Sequence, residues 1–156
     1  LLDPSPCLTG GDVFYGAEVD DNGSESATLR PPSASFSANV TLVGQGIVDM
    51  QLRAELPDMT TYFWLYMSSP SSDAGIALPF EVGTYTGASG LPGPGLSLYF
   101  TYNDAACGGP ATFTISTLSG KVDLASDLTV AFATICDQPV HAYTYGCVHF
   151  DKLATP

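Results

Sequence analysis

The stretch that decides the fold runs from Gly83 to Phe150: G-T-Y-T-G-A (83–88), P-G-L (94–96), Cys107, F-T-I (113–115), V-A-F-A-T-I-C (130–136) and G-C-V-H-F (146–150). Each apolar run is short, alternates, and is followed by Gly, Pro, Asn or Asp, which is the signature of successive antiparallel strands. Cys107 and Cys136 stand at the start and end of two consecutive strands in this series. If those strands are antiparallel neighbours, their far ends meet and a disulfide can form. The stretch carries no catalytic constellation.

Outward from it, the N-terminal half repeats the pattern. Asp12 to Val19 alternates, with Val13, Tyr15, Ala17 and Val19 on one side. Asp20 to Glu25 (D-D-N-G-S-E) reads as a turn, and Arg30-Pro31-Pro32 breaks the chain again. From Ala34, Phe36, Ala38, Val40 and Leu42 face one way and Ser35, Ser37, Asn39 and Thr41 the other. After Gly44-Gln45-Gly46, Val48, Met50, Leu52, Ala54 and Leu56 alternate with Asp49, Gln51, Arg53 and Glu55. This hairpin is half buried and half wet by its pattern. Thr61 to Met67 (T-Y-F-W-L-Y-M) has little polar relief, so it is expected at the centre of a sheet, covered on both faces, with Trp64 in the core.

With strands at 83–86, 96–102, 111–118, 127–135 and 143–150, the chain has about nine strands and no run of helical length. Turns every 8–12 residues without β-α-β alternation predict an all-β, antiparallel β-sandwich or jelly roll. Residues 1–11 (LLDPSPCLTGG) read as an irregular N-terminal arm, which Cys7 staples to the body at its base only, leaving Leu1 to Pro6 free to reach a neighbour, and residues 12–156 as a single domain. The expected core is Phe36, Val40, Leu42, Val48, Met50, Leu52, Phe113, Ile115, Val130, Phe132, Val148 and Phe150.

Composition excludes several functions. Four basic residues against 16 acidic ones give a net charge of -12 in 156 residues. Arg30, Arg53, Lys121 and Lys152 are too few to neutralise a run of phosphates, so no nucleic-acid partner is expected. The same charge disfavours anionic membrane surfaces, and no apolar run approaches the ~18 residues of a membrane span. The start at Leu1-Leu2-Asp3 reads as a mature form or an excised domain. The four cysteines include no C-x-x-C and allow three pairings; disulfides in an oxidising compartment are their expected use.

From Trp64 onward the chain resembles a family of small exported bacterial domains without a settled function, often found in lipoproteins or multidomain secreted proteins. The likeness rests on Trp64-Leu65-Tyr66-Met67 with Pro70, Gly83-Thr84-Tyr85, Pro94-Gly95-Leu96, Cys107, Phe113-Thr114-Ile115, Phe132 with Cys136, and Gly146-Cys147-Val148-His149-Phe150. It spans about residues 60–150 and departs at Ala105-Ala106, where the family has Arg-Gly, and at Met67, where it has an aromatic residue. The resemblance implies an exported β-sandwich with a Cys107–Cys136 bridge and no catalytic residue. Cys7 and Cys147 look like an added pair, so the expected bridges are Cys107–Cys136 and Cys7–Cys147.

Candidate chemistry is sparse. His141, Tyr143, Tyr145, Cys147 and His149 share one face of the last strand and could offer donors to a metal, but a bridge to Cys7 would consume the sulfur. Asp20, Asp21, Asn22 and Glu25 are oxygen-rich without the EF-hand spacing, and read as a solvated turn. Asn22-Gly23-Ser24 and Asn39-Val40-Thr41 are N-glycosylation sequons in a host that makes that modification. No G-x-S-x-G is present. No metal, cofactor or enzyme activity is expected. Aromatics are the better signal: Tyr62, Trp64 and Tyr66 share a strand face, and Tyr99, Tyr143 and Tyr145 add more rings that could stack on sugars or fill an interface.

The expected function is that of a secreted or cell-surface, non-catalytic structural domain, a subunit of an extracellular assembly. It would act through contacts with other extracellular proteins or with copies of itself. The alternative is a glycan-binding module with a polysaccharide partner, and the third a hydrolase with an unrecognised site. Three observations separate them: an exposed aromatic row, an unpaired edge strand, or buried convergent carboxylates.

Overall fold

The computed structural model describes residues 2–8, 11–20, 22–44, 46–58, 60–103, 105–106, 108–118, 127–136 and 142–151. Among these there are eleven strands: β1 (Val13–Asp20), β2 (Gly23–Leu29), β3 (Ser35–Val43), β4 (Gly46–Glu55), β5 (Tyr62–Ser68), β6 (Gly83–Ala88), β7 (Ser97–Tyr102), β8 (Ala105–Ala106), β9 (Ala111–Leu118), β10 (Leu128–Ile135) and β11 (Tyr143–Phe150). They form two antiparallel sheets. One has the order β2-β1-β11-β10-β9-β6 and the other β3-β4-β5-β7-β8. The all-β, two-sheet class matches the sequence pattern. Two strands escape that pattern. Gly23–Leu29 carries serine and glutamate where alternation would need apolar residues, and β8 is two residues long.

The core lies between the sheets and is built on phenylalanine. Phe14 and Phe132 from the six-stranded sheet meet Phe63 and Phe100 from the five-stranded one, with ring centroids 5.0 Å apart for Phe14–Phe63 and 4.6 Å for Phe100–Phe132. Such pairs add about 0.5–1.5 kcal/mol beyond the area they bury. Two glycines make room for them. Gly16 and Gly146 lie opposite each other on β1 and β11. A Cβ on Gly16 would come within 2.8 Å of both Phe63 and Phe100.

Most of the expected core is buried: Val48, Met50, Leu52, Phe113, Ile115, Val130, Phe132, Val148 and Phe150. The exceptions all lie on β3. Phe36 and Val40 are half-buried and Leu42 is 36% exposed. The alternation is real, but β3 is the outermost strand of its sheet, so the far side of each inward-facing residue has no strand beside it.

Cys7 is bonded to Cys147 as expected, across 140 residues. Cys136 is also disulfide-bonded; Cys107, expected as its partner, lies outside the described residues. No helix in the described chain is long and apolar enough to cross a membrane.

Candidate functional site

The outer surfaces of the two sheets are built from the same alternation and end in different states. On the six-stranded sheet the outward positions include Val13, Tyr15, Ala17, Tyr143, Tyr145, Cys147 and His149. The N-terminal segment lies across part of this face. A 310 turn at Ser5–Cys7 brings Cys7 to Cys147, and the pair forms a small buried cluster with Val13 and Ala131, against which Leu2 and Tyr15 pack. Arg30 donates to the Pro6 carbonyl at 3.4 Å. The segment 2–7 is therefore docked on the sheet, contrary to the expectation of an arm held only at its base.

His149 extends this closure. Its Nδ1 lies 2.8 Å from the Gly11 carbonyl and its Nε2 2.6 Å from Asp127 Oδ1, with Asp151 Oδ1 at 3.7 Å from Nδ1. A carbonyl only accepts, so Nδ1 carries a proton, and the carboxylate favours a second proton on Nε2. Burial, the largest single influence, opposes the charged ring. The hydrogen bonds to Gly11 and Asp127 and the charges of Asp127 and Asp151 outweigh it, so the pKa lies above the ordinary histidine value. Cys147 is in a bridge and both His149 nitrogens are engaged, so neither side chain offers a donor to a metal; His141 lies outside the described residues.

The acidic turn forms the β1–β2 connection. Asp20 Oδ1 accepts the Asn22 amide at 2.8 Å, and Glu18, Asp20, Asn22, Gly23, Ser24 and Glu25 line an open recess of about 210 Å³. Glu18 faces Glu25 across the ladder; its pKa is raised by burial and then by the charges of Asp20 and Glu25. Asp21 lies outside the described residues. Among the described residues no three His, Cys, Asp or Glu side chains are arranged to hold a metal ion.

The five-stranded sheet is open. Phe63, Leu65 and Met67 point into the core, while Tyr62, Trp64 and Tyr66 are half-exposed on the outer face. This corrects the reading of that strand as covered on both sides: β5 is central within its sheet, but no described segment lies over its outer face. Cross-strand registry assembles the surface in rows. Asn39, Gln51, Tyr66 and Tyr99 form one, and Ser37, Arg53, Trp64 and Thr101 the next. Trp64 is the hub, 5.5 Å edge-on from Tyr99 and 6.3 Å from Tyr66. Arg53 lies 5.6 Å over the Tyr62 ring and bonds Glu55 at 3.2 Å. Burial, followed by contact with Asp49, raises the Tyr66 pKa.

Asn103 fixes where this strand begins. Its side chain accepts the Tyr62 amide and its own amide donates to the Tyr62 carbonyl, both at 2.9 Å. It does so at φ 52°, a left-handed conformation that asparagine tolerates better than most residues.

The expected aromatic set thus divides. Tyr62, Trp64, Tyr66 and Tyr99 gather on the outer face of the five-stranded sheet. Tyr143 and Tyr145 lie on the opposite face of the sandwich, beside Tyr15.

Beside the aromatic field runs β3, nine residues long and the outermost strand of its sheet. Among the described residues nothing pairs with its free side. The other edges differ. β2 carries Glu25, β8 has two residues, and β6 is broken by a register shift and by Gly83 and Gly87 at positive φ. This edge is what sequence reading missed as a site, although the signal was present in a strand with neither charge nor proline (S-F-S-A-N-V-T-L-V). Comparison with protein-family models, curated proteins and solved structures returned no match for this chain.

Proposed function

We propose that this protein is an exported, non-catalytic structural domain that works by adding a partner's strand to β3. One observation carries the reading: β3 is a long edge with none of the usual protections. Natural edge strands are shortened, bulged, charged or interrupted by proline; β3 has nine residues with no charge and no proline. Its hairpin does contain a bulge, but the extra residue, Val48, is on β4, so β3 runs on without a break. An extended segment added there would gain main-chain hydrogen bonds and side-chain contacts on both faces. The disulfide and the likeness to exported domains support the compartment.

The test is the size of the complex the protein forms in its native material. Thr41→Lys, on the exposed side of β3, is expected to release the chain from that complex. Ser26→Lys, on the edge of the other sheet, is expected to leave it in place. Equal behaviour of the two variants would refute the reading.

A second reading has its own support. The Trp64 field offers half-exposed rings beside Asn39, Gln51 and Arg53, a combination of stacking surface and hydrogen-bonding groups suited to sugars. Trp64 is the chain's one tryptophan, so its fluorescence reports directly. A spectral shift on adding a soluble polysaccharide, lost in Tyr99→Ala, would establish that reading; no shift with any glycan tried would count against it.

A further inference from the structure

We infer that the strand received by β3 is β3 of a second copy, joined antiparallel about a two-fold axis through Asn39. The inference rests on the reading of β3 as a contact edge and names its partner. In the antiparallel register that centres on Asn39, β3 is complementary to itself. There Ser37 faces Thr41 of the second copy and Asn39 faces Asn39, so the centre of the exposed outer face matches polar residue to polar residue. On the other face Ala38 meets Val40 and Phe36 meets Leu42, each pairing a smaller apolar side chain with a larger one. Ser35 meets Val43 at the ends.

Three features of the free chain fit this pairing. The residues it would cover are the ones the fold leaves short of neighbours: Phe36 and Val40 are half-buried, and Leu42 and Val43 are 36% and 53% exposed. Odd residues face odd and even face even, so the alternate residues whose backbone groups are left unpaired by β4 lie opposite their own equivalents. This is the self-complementarity an isologous interface requires. Finally, the charge is placed elsewhere. The chain carries 16 acidic residues, yet none occurs between Glu25 and Asp49, a stretch that contains all of β3. Two copies, each of net charge -12, could then approach along a strand that itself carries no acidic residue, with Asp49 and Glu55 one strand inward opposite Thr41 and Ser35, and added salt would strengthen the pairing by screening the remaining repulsion.

The two-fold axis makes Asn39 a decisive position, because one substitution places two like side chains opposite each other. Like charges directly across a strand pair destabilise it and opposite charges stabilise it. Sedimentation equilibrium of the intact protein is expected to show a monomer–dimer equilibrium that shifts toward dimer as salt is raised. Asn39→Lys and Asn39→Asp should each weaken the dimer several-fold, and an equimolar mixture of the two should restore it as a heterodimer. Asn39 is exposed, so both variants should keep the wild-type melting temperature when dilute. A wild-type protein monomeric at all concentrations, a dimer unaffected by either charge, or a mixture that fails to recover would each overturn the inference. A wild-type monomer that still enters its native complex in a Thr41→Lys-sensitive way would overturn self-pairing alone. Loss of that sensitivity as well would remove the contact-edge reading with it.

Discussion

The two sheets share one core and treat their outer surfaces in opposite ways. The six-stranded sheet is covered in part: a disulfide, a small apolar cluster and an ion-paired histidine hold the N-terminal segment across the Val13 and Cys147 end of its face, beside the half-buried Tyr15, Tyr143 and Tyr145. The five-stranded sheet is open, with an aromatic field on its face and an unprotected strand at its edge. Covering a face takes chain, and the segment 2–7, with its bridge from Cys7 to Cys147, lies on the six-stranded side. Contacts are therefore expected on the side that folding leaves unfinished.

The most severe way to break the comparison is to open the closed side. Replacing Cys7 and Cys147 together with serine removes a cross-link spanning 140 residues. The chain-entropy model puts its worth at about 5 kcal/mol. Urea denaturation should show most of the stability lost, with the open side's contacts retained wherever the variant remains folded. A loss under about 1 kcal/mol would mean that the bridge does not hold this face.

The next comparison lies within one strand. Leu65→Ala empties a position in the shared core and should cost about 2–5 kcal/mol. Tyr66→Ala, one residue on, removes an outward ring and should cost about 1 kcal/mol or less. Equal costs would show that the outer face of β5 is packed as firmly as the inner one.

The side of Trp64 illustrates what the sequence could and could not convey. Period-2 alternation located most strands because it is written residue by residue. In Tyr62–Met67 both sets of alternating residues are apolar, so the pattern has no contrast, and the answer depends on whether another segment lies over the sheet. That is a tertiary fact. β2 was hidden for the converse reason: its outward residues are Ser24, Ser26 and Thr28, its inward side carries Glu25 beside Ala27, and only Leu29 is buried. The Cys7–Cys147 bridge was legible, whereas the docking of Leu2 and the engagement of His149 with Gly11 depend on atoms distant in sequence. The edge character of β3 was half legible. Its lack of charge is in the sequence, but its position at the end of the sheet is not.

A smaller effect separates the two sides by pH. His149 has its pKa raised in the folded state, so its contribution to stability is full below the ordinary imidazole value and is lost as pH rises through the folded value. The melting temperature should therefore fall as pH rises from mildly acidic through neutral, and His149→Gln should flatten that part of the profile. Asp127→Asn should flatten it too. Glu18, whose raised pKa acts in the same direction, affects a lower window near the carboxylate range. A profile unchanged in both variants would show that the histidine does not help to close the six-stranded face.

Amide hydrogen exchange, read strand by strand on the dilute chain and on the assembled protein, reports directly whether β3 is the contact edge. Exchange over Ser35–Val43 should be fast at alternate residues in the dilute chain and slow on assembly, while Gly23–Leu29, the edge of the other sheet, is unchanged. Slowing confined to Gly23–Leu29, or no slowing along Ser35–Val43, would contradict it.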